Sequence, residues 1–445
     1  MVRNRDDLAS TPERDLALSC IEAGIEAAQP DRVVRESVAL DGDTLRIQDA
    51  TYDLAPYRRI AIVGGGKAAA HVASALESIL GDRLDEGVIV TDDPAPLSTV
   101  GALPGDHPVP SERGVESTRT LLDTARDFEE KTLVLAVITG GGSALMAAPA
   151  PELSLADLRE TTESLLQSGA SIHEINAVRK HCSAIKGGQL ATALTPATVV
   201  ALVVSDVVGN DLDVVASGPT VPDGSTYDDA LAVLDRYDVD VPDAVRDHLE
   251  AGAAAQLEET PSSGDPAFEA ASAHVLADGF TALAAAAEVA TDAGYATTIL
   301  SSRIEGEARN VGVTHAAIAE EVAATGNPIS PPAVVLSGGE TTVAHDGGGT
   351  GGPNQEFVLS AARALGVEAV VAAVDTDGID GSSSAAGGML DARVDDPVAG
   401  DALDAHDVTP FLEEHDALVL TGRTGTNVND LRVLVVSDAD GATAV

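Results

Sequence analysis

A chain of 445 residues exceeds one ordinary hydrophobic core, so two domains are expected, and its 72 acidic against 26 basic residues leave a formal net charge of -46. That charge excludes nucleic acid and anionic membranes as partners, because both are bound through basic patches. No apolar run has the length of a membrane span, the N-terminus lacks a signal-like apolar core, and two cysteines, Cys20 and Cys182, make no disulfide framework; a cytoplasmic location is expected, in a cytoplasm salty enough to screen the self-repulsion.

Helical periodicity through Leu16, Leu18, Ile21 and Ile25 predicts a helix over 12–29, stopped by Pro30. The next strong signal is a strand, Arg59-Ile60-Ala61-Ile62-Val63, running into Gly64-Gly65-Gly66-Lys67 and then an alanine-rich helix to Leu80. Glycines at such a junction let backbone N–H groups close on an anion, and the helix start adds its positive dipole end. The stretch is not a Walker A loop, because Ala68 stands where the magnesium-binding Ser or Thr is needed. It does meet the looser dinucleotide fingerprint through Gly64, Gly66 and Ala69, with Asp92 and Asp93 placed after the next strand, 87–91, as a ribose-binding acid would be. Dinucleotide binding, phosphate binding and mere strand–helix packing all remain open at this point.

A helix over 112–128 follows a proline-containing loop, and the strand 132–138 then enters a second glycine loop, Thr139-Gly140-Gly141-Gly142-Ser143. Two such loops at the carboxyl ends of parallel strands mark the edge where open α/β sheets bind ligands. Helix 153–167 precedes the densest polar stretch, from His173 to Gly188. Read as a helix, it places Asn176, Arg179, Lys180 and Ser183 around one face, with Lys186 beyond. The chain has four lysines in all, Lys67, Lys131, Lys180 and Lys186, so bases grouped here favour an anion site over a solvated face. Asp206 ends the strand 199–204, where a carboxylate holds Mg²⁺ or takes a proton; Asp211 and Asp213 read as acidic surface.

The polar, proline-bearing stretch 255–272 reads as a linker, dividing the chain into 1–262 and 263–445. A second α/β alternation follows. It carries Ser337-Gly338-Gly339-Glu340 after the strand 333–336, a glycine tract over 347–352 able to close over a ligand, and Asn354-Gln355-Glu356 at a helix start. Asp375-Thr376-Asp377-Gly378 ends another strand, and Thr424 to Asp430 precedes the last, 431–436.

Taken together and in order, these blocks resemble the type II glycerate kinases with a C-terminal MOFRL-type region. The match rests on Gly64 to Ala68, Thr139 to Ser143, Ile175 to His181 with Ile185 to Gly188, Ser205-Asp206 and Ala216-Ser217-Gly218-Pro219-Thr220. Ser337 to Glu340, Asn354 to Glu356, Asp375 to Gly378 and Thr424 to Asp430 complete it. The resemblance implies a Rossmann-like three-layer N-terminal domain, a smaller C-terminal α/β domain and an active site in the cleft between them. It also implies transfer of phosphate from ATP to D-glycerate, giving 2-phosphoglycerate, with Mg²⁺ and no partner beyond small molecules, in a monomer or homodimer. In that frame Lys67, Asp206, Arg179 and Arg423 are the catalytic candidates, and Asp206 and Asp377 the metal carboxylates. Gly64, Gly65, Gly66, Gly141, Gly142, Ser143, Asn176, Lys180, Lys186, Glu340, Asn354 and Asn427 are the substrate and nucleotide contacts.

One departure stands out. Where the family carries arginine before Asn-Gln-Glu, this chain has Pro353, and where the family carries proline it has Arg423; the expectation is that Arg423 replaces the missing charge. The rival class is an NAD(P)-dependent hydroxypyruvate reductase, disfavoured by Lys67 inside the fingerprint and by the lack of an obvious catalytic His–acid pair.

Overall fold

The computed structural model describes residues 1–344, 348–392, 394 and 396–437. The glycine tract over 347–352 thus begins outside the described residues. The chain forms two compact units, Val33–Leu276 and Met1–Arg32 with Ala277–Val445, here called the middle and terminal units.

The middle unit opens with a small antiparallel meander, β1 (Val38–Asp41), β2 (Thr44–Ile47) and β3 (Ala50–Asp53). Its main sheet is built from β4 (Arg59–Gly65), β5 (Glu86–Thr91), β6 (Val100–Pro104), β7 (Thr132–Thr139), β8 (Thr198–Val204) and β9 (Ala271–Ala277), in the order β6-β5-β4-β7-β8-β9. Neighbours from β6 through β8 run parallel. Val and Ile saturate these strands because both faces are covered. Ala61, Val63, Val134, Ala136 and Ile138 face Leu121, Leu122 and Ala125 of the helix Glu112–Arg126. The alternate residues Ile62, Leu135 and Val137 point the other way and are equally buried. The strand order reverses between β4 and β7, so the loops after these two strands flank the crevice where such sheets bind ligands.

The terminal unit holds a mixed sheet, β10 (Ala296–Glu307), β11 (Ala333–Thr342), β12 (Ala369–Asp375), β13 (Gly387–Asp391), β14 (Leu418–Val419) and β15 (Asp430–Val436), ordered β10-β11-β15-β12-β13-β14. Among the described residues of this sheet only β10 and β11 pair in parallel. One face packs on the helices Pro12–Ala27 and Gly279–Asp292, and the other on Ala308–Thr325 and Pro353–Ala364. A Cβ on Gly24 would lie 2.5 Å from Leu431, which shows how closely the N-terminal helix approaches β15.

Three expectations change. The predicted boundary at 262/263 does not coincide with the units: the N-terminal helix buries Leu18, Ile21 and Ile25 in the terminal unit, while β9 completes the middle sheet. The linker-like stretch is pinned to the middle unit, with Glu259 bonded to His181 and to the Tyr227 amide and Thr260 to Asp223. The strand expected to end at Leu336, before Ser337 to Glu340, instead runs on through that block to Thr342. Among the described residues no helix is long and apolar enough to cross a membrane.

Candidate active site

The loops after β4 and β7 are built against each other. Gly64 and Gly66 adopt φ of 134° and 137°, and a Cβ on either would lie 1.9 Å from the Val137 carbonyl or 2.1 Å from the Thr139 hydroxyl. Only glycine fits there. The Lys67 amide donates to the Gly140 carbonyl at 2.9 Å and the Ala68 amide to Thr139 Oγ1 at 3.2 Å. Lys67 is thereby held at the crevice just before the helix Ala69–Leu80.

Asp206, two residues past β8, rests its carboxylate on Gly140, where a Cβ would meet Oδ2 at 2.1 Å. A Cβ on Gly141 would lie 3.0 Å from Lys67 Cγ and 3.1 Å from His107 Cδ2. Lys67, Asp206 and His107 therefore gather around Gly140 and Gly141. His107 was missed as a site residue, because a histidine in a proline-containing loop carries no local motif.

The same loop leads to Ser143, on which two cations converge. Arg179 Nη2 donates to Ser143 Oγ at 2.7 Å, and Lys186 Nζ donates to Ser143 O at 2.6 Å and to its Oγ at 3.0 Å. Ser143 also shares a 2.6 Å hydrogen bond with Ser217, which in turn donates to Asn176 Oδ1 at 3.1 Å. Lys186 is only 5% exposed, and no ion pair joins either cation to a carboxylate among the described residues. Burial and the neighbouring Arg179 charge hold the Lys186 ammonium well below its ordinary pKa, and burial lowers that of Arg179. A buried lysine and a partly buried arginine with hydroxyl partners, and no carboxylate counter-ion among the described residues, have the chemistry to receive a small anion. Ala216 and Ser217 carry φ of 50° and 62°, left-handed values costly for residues with a Cβ. Ser217, at the centre of a block already singled out, was legible as a motif and not as a contact.

Ser143 lies three residues from Gly140, within about 10 Å along the chain. The two cations, Lys67 and Asp206 thus stand along one loop, and the candidate site comprises Gly64 to Lys67, Gly140 to Ser143, Asn176, Arg179, Lys186 and Asp206.

Lys180 does not belong to it. It is 1% exposed and ion-paired with Asp213 and, at 3.2 Å, with Asp223. His181 bonds Ala177 O and Glu259. The helix Ile172–His181 splits its bases between two directions, which a count of charges does not reveal, and Asp213 is a structural partner rather than mere surface.

In the terminal unit several candidates are tied into local structure, Asn354 and the strand residue beside Glu340 both meeting Asp430. Asn354 is buried and donates to Asp380 at 3.2 Å and Asp430 at 2.7 Å, so it is a structural residue there. Asp377 closes a turn, accepting from the Ile379 amide at 2.9 Å, and Asn427 does the same for Asn429 at 3.1 Å. Glu340 is an exposed residue of β11, and Arg423 is exposed on the segment between β14 and β15. Among the described residues no group of three or more His, Cys, Asp or Glu side chains is arranged to hold a metal ion.

Residues 16–250 match the family model described as a domain of unknown function, DUF4147, and residues 333–430 match the MOFRL family. The chain is 38% identical over 445 residues to a glycerate 2-kinase of Pyrococcus horikoshii, covering 97% of this chain and 99% of that one. It is also 42% identical over 398 residues to an Agrobacterium vitis protein provisionally named a hydroxypyruvate reductase, covering 86% and 88%. The crystal structure of a Thermotoga maritima glycerate kinase superposes with a TM-score of 0.81 at 36% identity, over 95% of this chain and 98% of that one. A DUF4147 region followed by a MOFRL region, with full-length relatives and a shared fold, places the chain in the glycerate 2-kinase family.

Proposed function

We propose that the chain is a kinase that transfers the terminal phosphoryl group of ATP to the 2-hydroxyl of D-glycerate. The observation that carries this reading is the pair Arg179 and Lys186, the first partly buried and the second buried, without a carboxylate partner among the described residues and one short loop away from Lys67 and Asp206. Arg179 and Lys186 hold the glycerate carboxylate, with Ser143, Ser217 and Asn176 fixing the hydroxyl side. The 2-oxygen forms the new bond to phosphorus as the bridge to ADP breaks, and Asp206 takes the hydroxyl proton. Lys67, backed by the Gly64 to Gly66 amides, offsets the charge spread over the transferring group.

Mg²⁺ fits this donor set in the manner of phosphotransferases, through one carboxylate and the nucleotide phosphates rather than a protein cage. Asp206 is the residue that would hold it; Asp377, spent on its own turn, fits poorly. Bound there, the ion supplies further neutralisation of phosphate charge. We also place the protein in a salt-rich cytoplasm, as a monomer or homodimer, in keeping with two free, buried cysteines.

The reductase reading draws on the fingerprint geometry after β4 and on the Agrobacterium name. A lysine at the loop and a two-cation anion receptor favour phosphoryl transfer. Incubation with ATP, Mg²⁺ and D-glycerate should release ADP, while NADH with hydroxypyruvate should remain unoxidised; the reverse result replaces the kinase by a reductase. Arg423 is kept as a proposed substitute for the charge lost at Pro353. Arg423→Ala should lower kcat/KM about tenfold, and a value within twofold of the parent ends the substitution proposal.

A further inference from the structure

The acid that follows β5 has no role in the reaction as described. Strand β5 lies parallel to β4 with Val90 opposite Gly65, and the Gly66 amide donates to the Val90 carbonyl at 3.0 Å. Thr91, the last residue of β5, reaches the Lys67 carbonyl with its hydroxyl at 3.4 Å and accepts the Asp93 amide at 3.2 Å. The segment after β5 is thus tied directly to the glycine loop. Its two acids then divide. Asp93 Oδ2 meets His71 Nε2 at 3.2 Å, one turn along the helix that starts at the loop. Asp92 is partly exposed, and its Oδ1 is enclosed without a hydrogen-bond partner among the described residues.

An enclosed carboxylate oxygen without a donor is unfavourable, and it persists where a ligand supplies the donor. Asp92 stands two residues from Val90, so it lies within about 7 Å along the chain of the carbonyl that holds Gly66. A nucleotide with its phosphates on Gly64 to Lys67 has its sugar on the β5 side, because the β7 side is occupied by Asp206 and the anion receptor. A ribose hydroxyl is the donor of matching chemistry, and a carboxylate at the tip of the strand beside a glycine loop is placed to receive it.

We propose that Asp92 is a specificity-determining residue that reads the ribose hydroxyls of the phosphoryl donor, making the enzyme selective for ribonucleotides. The proposal rests on the kinase reading for its donor, and it uses Asp92 in a part that the dinucleotide fingerprint shares with other nucleotide sites.

The test compares ATP with 2′-deoxyATP and 3′-deoxyATP as donors to D-glycerate, in the unaltered protein and in Asp92→Ala and Asp92→Asn. Calorimetric binding of ADP and its two deoxy analogues is measured alongside. The unaltered protein should use at least one deoxy donor about tenfold less efficiently and bind the matching ADP analogue more weakly. Asp92→Ala should bring both ratios within twofold of one, with the D-glycerate KM unchanged, and Asp92→Asn should retain part of the preference. A protein that treats the three donors alike, or an Asp92→Ala variant that keeps the parental ratio, overturns the proposal. If glycerate is not phosphorylated yet ADP binding shows the Asp92-dependent preference, the kinase reading fails and this assignment stands. Loss of the preference together with the melting transition in Asp92→Ala leaves Asp92→Asn to decide, and a parental ratio there overturns it.

Discussion

At the scale of single residues, the division of labour among the few bases decides the chemistry. Lys180 is neutralised by Asp213 and Asp223, whereas among the described residues Lys186 meets only hydroxyl and carbonyl oxygens. Lys186→Met should therefore raise the D-glycerate KM by about tenfold or more while leaving the melting temperature equal or higher, since a buried unpaired cation is costly to the fold. Steady-state kinetics with a thermal melt check this, and a large fall in stability would show instead that Lys186 is structural. The placement of Lys67, Asp206 and Arg179 near the loops after β4 and β7 was legible in the sequence because glycine loops, strand ends and scarce bases are local signals. The misplacement of Lys180 was not avoidable in that way: Arg179 and Lys180 are adjacent, and only the packing of the helix Ile172–His181 decides which one faces the crevice.

Elements show the same contrast between local and long-range information. The Asn354-Gln355-Glu356 block reads as a binding motif, yet its geometry is that of an anchored helix start. Asp380 accepts the Asn354 and Gln355 amides at 3.0 and 2.9 Å and both of their side-chain amides at 3.2 and 3.0 Å. It thus caps the helix Pro353–Ala364 from a distant loop, and Asp380→Ala should cost about 2–4 kcal/mol by denaturant unfolding. Burial raises the Asp380 carboxyl to about 7, although the two backbone amides favour its anion. Between about pH 4 and pH 7 the folded chain holds a proton that the unfolded chain has released, so this group's contribution to stability falls as pH rises through that window. Asp380→Asn should remove that part of the slope, and an unchanged slope would assign it to other groups. The parallel strands β4, β5, β7 and β8 were visible as apolar runs. The cap was not, because Asp380 and the helix it serves are joined only in the folded chain.

For the molecule as a whole, the order of strands and helices follows the sequence pattern closely, and the membership of each unit does not. Helix Pro12–Ala27 has an ordinary apolar stripe, which says that it packs on something but not that its partner is β15, encoded some 400 residues later. The net charge of -46 acts at this scale as well. Because self-repulsion loosens a compact state and salt screens it, the melting temperature and activity should both rise with molar KCl; a salt-indifferent transition would contradict the salt-rich setting proposed here. Phosphorylation at the glycerate 2-hydroxyl is tested most directly by a ³¹P spectrum of the protein incubated with ATP, Mg²⁺ and D-glycerate, run beside Lys67→Ala. The parent should yield 2-phosphoglycerate and ADP, and a folded Lys67→Ala variant should react at a rate lower by about 10²–10³. A product phosphorylated elsewhere, no phosphoester at all, or an equally active variant would contradict this reading.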